Sequence, residues 1–253
     1  MKVIFSEFRT DYNKHLFPYQ VLLIREPKDK LEKIYQKGFL PFRNNSWLFY
    51  LARSCRSNLK NFRLSSENKR IIKKTQGFDF KIISLNKFDF NFNVQKQCKD
   101  WSKSRGWKIS ITSIKNLFQG DFFNLCQLVK EKDQSQTAAY SIIKEEENFV
   151  HWAYVFMNPN YQNSNLVIRM GLEIIRWAQP RKKFVYLGTC YGKSNYKRNY
   201  PGFEFFNGIF WSKNLKELTW LNENTNLSCY SLQNKNYKEF IQLKKILENY
   251  QNE

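Results

Sequence analysis

Phe149-Val150-His151-Trp152-Ala153-Tyr154-Val155-Phe156 is an aromatic and β-branched run without Gly or Pro, and it predicts a strand. Just upstream, Thr137–Lys144 predicts a second strand, joined to it by the solvated acidic turn Glu145–Glu147. Downstream comes a polar turn, Met157–Ser164. Val167, Met170, Gly171, Ile174, Ile175 and Ala178 then recur on one face of a helix, with Arg169 and Glu173 four apart on the other. Asn163 or Ser164 is placed to cap that helix, and Pro180 ends it. Phe184–Leu187 predicts the next strand. The order strand, strand, helix, strand gives a mixed α/β arrangement, more narrowly α+β.

Working toward the N-terminus, Phe78–Ile83 predicts a strand and Asn93–Ser104 a helix. Thr112 or Ser113 starts a further helical segment toward Lys130, weakened by Gly120. In the first block Tyr19–Ile24 predicts a strand, and Trp47–Ala52 is a second apolar run. Pro27–Lys37 predicts a short helix stopped by Gly38, and Ser65 or Ser66 caps a basic helix reaching about Thr75. Toward the C-terminus, Phe203–Trp211 predicts an aromatic strand and Lys235–Tyr250 an amphipathic helix. Two regions follow: a basic N-terminal subdomain, 1–75, and a larger domain, 76–253.

The chain has 253 residues, 42% of them hydrophobic, enough for a sizeable core. It carries 42 Lys and Arg against 22 Asp and Glu, a net charge of +20. Residues 1–120 hold 25 of those cations and 9 of the acids, so the positive charge lies toward the N-terminus and favours a polyanion such as nucleic acid. Lys outnumbers Arg, a bias that an AT-rich genome also produces. Cys55, Cys98, Cys126, Cys190 and Cys229 are odd in number and widely spaced, without a C-x-x-C pair; a reducing cytoplasm and no zinc site are expected. No apolar run is long enough for a signal peptide or a membrane span, so no membrane partner is expected.

Between Arg53 and Lys74 lie eight cations (Arg53, Arg56, Lys60, Arg63, Lys69, Arg70, Lys73, Lys74) and one acid, Glu67. Such a stretch suits phosphate backbones or forms a solvated face. Trp47, Phe49 and Tyr50 precede it, available for stacking on unpaired bases or for the core. The strand Phe184–Leu187 runs into a loop rich in Tyr, Lys and Arg, including Tyr191, Tyr196, Lys197, Arg198 and Tyr200. His15 and His151 stand alone, and His151 beside Trp152 reads as structural. Cys190 sits at a strand end where a nucleophile can sit, with no activating neighbour in sequence.

The strand and helix order resembles the second half of the GNAT acyltransferase fold, whose two central strands splay apart to admit an activated acyl donor. The resemblance implies a glycine-rich turn for the donor's pyrophosphate, because side chains would block the backbone N–H groups. Here Met157-Asn158-Pro159-Asn160-Tyr161-Gln162-Asn163-Ser164 contains no Gly, so a donor other than acetyl-CoA is expected.

Two segments are similar to the aminoacyl-tRNA–protein transferases, which tag protein N-termini for degradation. Tyr186-Leu187-Gly188, Tyr196-Lys197-Arg198 and Tyr200-Pro201-Gly202-Phe203-Glu204 resemble that family's Tyr-Leu-Gly-Tyr…Lys-Met-x-Tyr-Lys-x-x-Phe-x-Pro-x-Glu segment, and Phe156-Met157-Asn158-Pro159 its Phe-Phe-Asp-Pro turn. Cys55 and Asn61–Lys74 resemble its Phe-x-x-Ser-x-Ser-Gln-Arg-Arg-x-x-x-Arg segment, and Gly38-Phe39 stands where that family has Gly-Phe-Arg. Several departures stand out. Cys55 alone replaces the family's several N-terminal cysteines, so no metal is expected. Asn158 replaces the acid of the Asp-Pro turn, and the helix start reads Ser164-Asn165-Leu166 without Gly.

The resemblance implies an aminoacyltransferase with aminoacyl-tRNA as co-substrate, a protein or peptide N-terminus as acceptor, and no further cofactor. Tyr186, Tyr191 or Tyr196 would bond the ester oxygen or relay a proton. Asn163 and Ser164 would face the oxyanion. Arg53, Arg56, Lys69, Arg70, Lys73, Lys74, Lys197 and Arg198 would bind tRNA. Three alternatives share parts of this pattern: an acyltransferase using acyl-CoA, a non-catalytic tRNA-binding protein of the same fold, and a transferase from aminoacyl-tRNA to a peptide or cell-wall precursor.

Overall fold

The computed structural model describes residues 1–5, 21–134, 136–162, 164–191 and 196–223. In chain order the elements are β1 (Lys2–Phe5), β2 (Val21–Ile24), α1 (Leu31–Gln36), β3 (Phe39–Pro41), β4 (Leu48–Leu51) and β5 (Ser54–Asn58), then α2 (Ser66–Lys74), β6 (Phe78–Ser84), α3 (Phe92–Ser104) and α4 (Ile111–Gln119). There follow β7 (Leu125–Glu131), β8 (Thr137–Glu145), β9 (Phe149–Met157), α5 (Leu166–Ala178), β10 (Phe184–Thr189), β11 (Phe203–Phe206), β12 (Trp211–Ser212) and α6 (Leu215–Glu223). The fold is mixed α+β with a large mixed sheet. Contacts group the chain into two units: Met1–Arg56 with Gly188–Asn199 and Phe203–Glu253, and Ser57–Leu187 with Tyr200–Gly202. The expected subdomain 1–75 is shared between them.

In the first unit β1, β2, β4 and β3 form an antiparallel sheet in that order, with Val3, Leu23 and Phe49 in register across it. Leu23 and Phe49 are buried with Ile34 and Tyr35 of α1. That helix is shorter than Pro27–Lys37. Pro27 lies in a turn closed by the Glu26 N–H donating to the Asp29 carboxylate, and Gly38 follows the helix at φ 82° as a left-handed stop. The predicted strand Phe203–Trp211 is instead a hairpin of β11 and β12.

In the second unit β10, β9, β8, β7 and β6 lie side by side; β10 and β9 are parallel and the rest antiparallel. Strands β8 and β9 form where expected. The Thr112–Lys130 segment does not form one helix: α4 ends at Gly120, and Leu125–Glu131 is a strand. One sheet face carries Phe156 and Tyr140 against Phe118 of α4, and the other carries α5. The predicted face of α5 is buried at Met170, Gly171, Ile174, Ile175 and Ala178, while Val167 is half-buried. Arg169, expected on the solvent side, is buried as well. His15 and the helix predicted at 235–250 lie outside the described residues.

Candidate acyl-transfer site

β9 and β10 pair only through Phe184–Phe149, Val185–Val150 and Tyr186–His151. Beyond His151, β9 continues to Met157 alongside β8 alone. The two central strands therefore part at Trp152. At that point the β8–β9 register slips: Ile143 faces Trp152 and Ile142 faces Tyr154, which leaves Ala153 as an unpaired bulge residue. Ala153, Tyr154 and Val155 are half-buried, between fully buried neighbours on either side. The parting is thus the exposed part of an otherwise buried strand, and a bulge re-aims its backbone there.

The turn after β9 satisfies its own donors. The Asn158 N–H donates to the Ala138 carbonyl at 2.8 Å and the Tyr161 N–H to the Asn158 carbonyl at 3.0 Å. The Gln162 and Ser164 N–H groups bond the Pro159 and Tyr161 carbonyls at 3.2 and 3.0 Å. The Asn158 side chain accepts from the Asn160 N–H at 3.1 Å. The Tyr161 hydroxyl donates to Glu131 at 2.7 Å, and that bond, with burial and the carboxylate charge, raises its pKa. The Asn158 amide is thus bonded to β8, and the Asn160, Tyr161, Gln162 and Ser164 amides are bonded within the turn.

Ser164 is described, and Asn163 lies outside the described residues. The Ser164 hydroxyl donates to the Tyr161 carbonyl at 2.5 Å and does not cap α5. The N-cap is Asn165, left-handed at φ 58° and without a side-chain cap bond.

Helix α5 is bound to its surroundings by polar contacts the sequence does not announce. The Gln127 side chain donates to the Met170 carbonyl at 3.2 Å and accepts from Ser141 at 3.0 Å. Gly171 lies under the Tyr200 ring, whose hydroxyl donates to the Val167 carbonyl at 3.3 Å; Trp152 meets the same ring edge-on. A Cβ at position 171 would overlap the Tyr200 oxygen.

Arg169, in the first turn of α5, donates to the Ile72 carbonyl at 2.7 Å and to the Thr75 hydroxyl at 3.2 Å. It also pairs with Glu173 at 2.8 Å and lies over Phe80. Arg169 thereby ties the C-terminal end of α2 to the start of α5.

Helix α2 is the basic helix expected. Ser65 caps it in a reciprocal box with Asn68. Asn68, Ile71 and Thr75 face inward, while Lys69, Arg70, Lys73 and Lys74 are exposed. Arg70 is paired with Glu67 at 2.6 Å. The cations nearest the C-terminal end, Lys73 and Lys74, are thus carried on the element docked to the first turn of α5.

Arg53 and Arg56 belong to a different environment, in the first unit. Arg53 is 2% exposed, and its guanidinium donates to the Leu221 carbonyl at 3.0 Å and to Asn222 at 2.6 Å. Arg56 is 8% exposed, paired with Glu204 at 2.8 Å and stacked 4.0 Å over Trp211. Both are committed to internal partners. Phe49, Trp47 and Tyr50 separate in the same way: Phe49 is core, Tyr50 half-buried and Trp47 exposed.

The tyrosines diverge too. Tyr186 is fully buried against Phe149 and Phe184. The Tyr191 hydroxyl accepts the Arg53 N–H at 2.8 Å. Tyr196 and Lys197 are half-buried, Lys197 donating to the Thr189 carbonyl at 2.9 Å, and Arg198 is exposed. The two segments singled out by resemblance do meet: Arg56 pairs with Glu204, the Ser57 hydroxyl donates to the Pro201 carbonyl, and the Asn58 N–H donates to the Gly202 carbonyl at 2.7 Å. His151 is buried beside Phe123. Among the described residues no cluster of three His, Cys, Asp or Glu could hold a metal ion. No helix among them is long and apolar enough to cross a membrane.

The sequence matches no protein-family model and no curated protein. Several solved structures resemble it in part. The C-terminal domain of a putative lysylphosphatidylglycerol synthetase from Agrobacterium fabrum is 10% identical over 63% of this chain and 51% of its own, with a TM-score of 0.44. The L-PGS structure from Bacillus licheniformis is 9% identical over 69% of this chain and 55% of its own, with a TM-score of 0.42. The ribosomal-protein-S18-alanine N-acetyltransferase from Escherichia coli is 14% identical over 39% of this chain and 59% of its own, with a TM-score of 0.30. This chain thus spans about half the length of the two synthetase chains. These likenesses are of fold alone, and the resemblance to aminoacyl-tRNA–protein transferases rests on the residues quoted above.

Proposed function

We propose that this chain transfers an amino acid from aminoacyl-tRNA to the α-amine at the N-terminus of a protein or peptide. The observation that carries the proposal is the turn after β9. Its Asn158, Asn160, Tyr161, Gln162 and Ser164 amides are bonded within the protein and it contains no Gly, which favours, where β9 and β10 part, a donor that needs no pyrophosphate cradle at that turn. An aminoacyl ester is such a donor, held by its RNA rather than by a nucleotide diphosphate.

The ester carbonyl would lie beside Ala153, at the slip in the β8–β9 pairing where β9 and β10 part. An N-terminal amine has a pKa of about 8, so roughly a tenth is already free base at neutral pH. Positioning then supplies most of the rate, and no covalent nucleophile is required. Lys69, Lys73 and Lys74 would hold tRNA phosphates on the helix docked to α5.

The test is incubation of the full chain with a pool of tRNA carrying labelled amino acids and a peptide with a free N-terminus. Label is expected in the peptide, at its first residue. Saturable thermal stabilisation by acetyl-CoA, without such transfer, overturns the reading. Binding of tRNA with no transfer in any charged pool leaves an RNA-binding protein and also overturns it.

A further inference from the structure

Two cysteines that are 135 positions apart in sequence meet in the first unit. Cys55 lies in β5 and Cys190 just past β10, and both are fully buried. The backbone fixes the approach. The Cys190 N–H donates to the Arg53 carbonyl at 2.9 Å, and its sulfur lies 3.2 Å from that carbonyl and 3.9 Å from the Ser54 carbonyl. The Cys190 sulfur therefore sits over the peptide that leads directly into Cys55. The two thiols act on each other electrostatically. Next in the chain is Tyr191, which is partly exposed.

A cation completes the arrangement. Lys197 is anchored to the Thr189 carbonyl, beside Cys190, and its charge acts on both thiols. Burial works to raise Cys55, but the neighbouring Cys190 thiol and the Lys197 charge bring it below the ordinary thiol value; burial and the Cys55 partner push Cys190 up. The other described cysteines supply a control. Cys98 and Cys126, in the second unit, are also buried and interact electrostatically, yet burial pushes Cys126 up to about 12 and Cys98 higher still.

We propose that Cys55 and Cys190 form a redox site that a small peroxide converts to a disulfide. The Cys55 thiolate attacks one oxygen of hydrogen peroxide, the O–O bond breaks and hydroxide leaves to take up the thiol proton as water. Cys190 then attacks the Cys55 sulfur, the S–O bond of the sulfenic acid breaks and a second water leaves with the Cys190 proton. Two thiols and one peroxide become one disulfide and two waters. This site is independent of the transfer reaction proposed above.

The test is a peroxide dose series on the full chain, followed by alkylation, digestion without reduction and mass mapping. The expected result is one linked peptide joining Cys55 to Cys190, reversed by dithiothreitol, forming about tenfold or more faster than any change at Cys98 or Cys126. In Cys190→Ser the expected product is a dimedone-trapped sulfenic acid at Cys55. The wild-type series decides the matter even where that variant does not fold. Oxidation of Cys98, Cys126 or Cys229 ahead of the pair, or sulfenylation without the Cys55–Cys190 link, overturns the proposal.

Discussion

Arg53 and Arg56 lie in the same basic stretch as Lys69, Lys73 and Lys74, and the structure gives the two groups opposite tasks. Arg53, just before β5, and Arg56, within it, are internal, one spent on the α6 backbone and Asn222, the other on Glu204 and Trp211. The cations of α2 face solvent, and only Arg70 among them is paired with an acid on its own helix. The difference follows from the partner each backbone meets. Strand β5 is buried on both faces from Ser54 to Ser57, so a cation there needs fixed acceptors. An amphipathic helix turns its cations outward, where a mobile polyanion can reach them. Positive charge in a sequence is therefore no measure of positive surface.

The sharpest way to break this contrast is Arg56→Ala. It leaves the Glu204 carboxylate buried without its main partner, and a loss of about 3–5 kcal/mol is expected in chemical denaturation. An Arg56→Met, Glu204→Leu double variant should recover most of that loss, because the ion pair serves the interior and not a ligand. On the helical side, Ser65→Ala removes the reciprocal cap and should cost about 1 kcal/mol by the same measurement. Lys69→Ala with Lys73→Ala should leave stability within about 0.5 kcal/mol. Binding of tRNA should weaken, and the salt slope should shrink by roughly 0.7–0.9 per cation removed. Equal destabilisation by the arginine and lysine variants would erase the distinction.

The smallest expected effect concerns Glu217, an acid beside the buried arginines. Burial raises its pKa above the ordinary 4.5, with bonds from Ser212 and Asn207 and the Arg53 charge working the other way. A raised carboxyl pKa means the folded state holds its proton more tightly. The stability that Glu217 contributes is then fully present below about pH 4.5 and is lost as pH rises through its folded value. Glu217→Gln should flatten that decline in a pH series of unfolding curves.

Much of the fold could be read from local pattern. The β8–β9 pair, the α5 periodicity and the Ser65 cap are written in residue types that favour those states. Strand β5 is not: Ser54-Cys55-Arg56-Ser57-Asn58 has neither β-branched nor aromatic residues, and its extended form is set by neighbours far away in sequence. The same limit hid the site. Arg169 appeared solvated because its acceptors, Ile72 and Thr75, lie nearly a hundred positions upstream. The slip at Ala153 leaves no compositional trace, and Tyr186 gives no sign that its ring is enclosed by Phe149 and Phe184. Cys190 read as isolated because β5, which its thiol meets, lies more than 130 positions upstream.

The packing of Tyr200 on Gly171 has an evolutionary consequence. The phenol oxygen occupies the space that any side chain at 171 would claim, so neither position is free to drift alone. A lineage that gains even an alanine there must surrender the phenol or shift its helix. Heritable change at this spot should come as paired exchanges, a small residue at one site travelling with a large ring at the other.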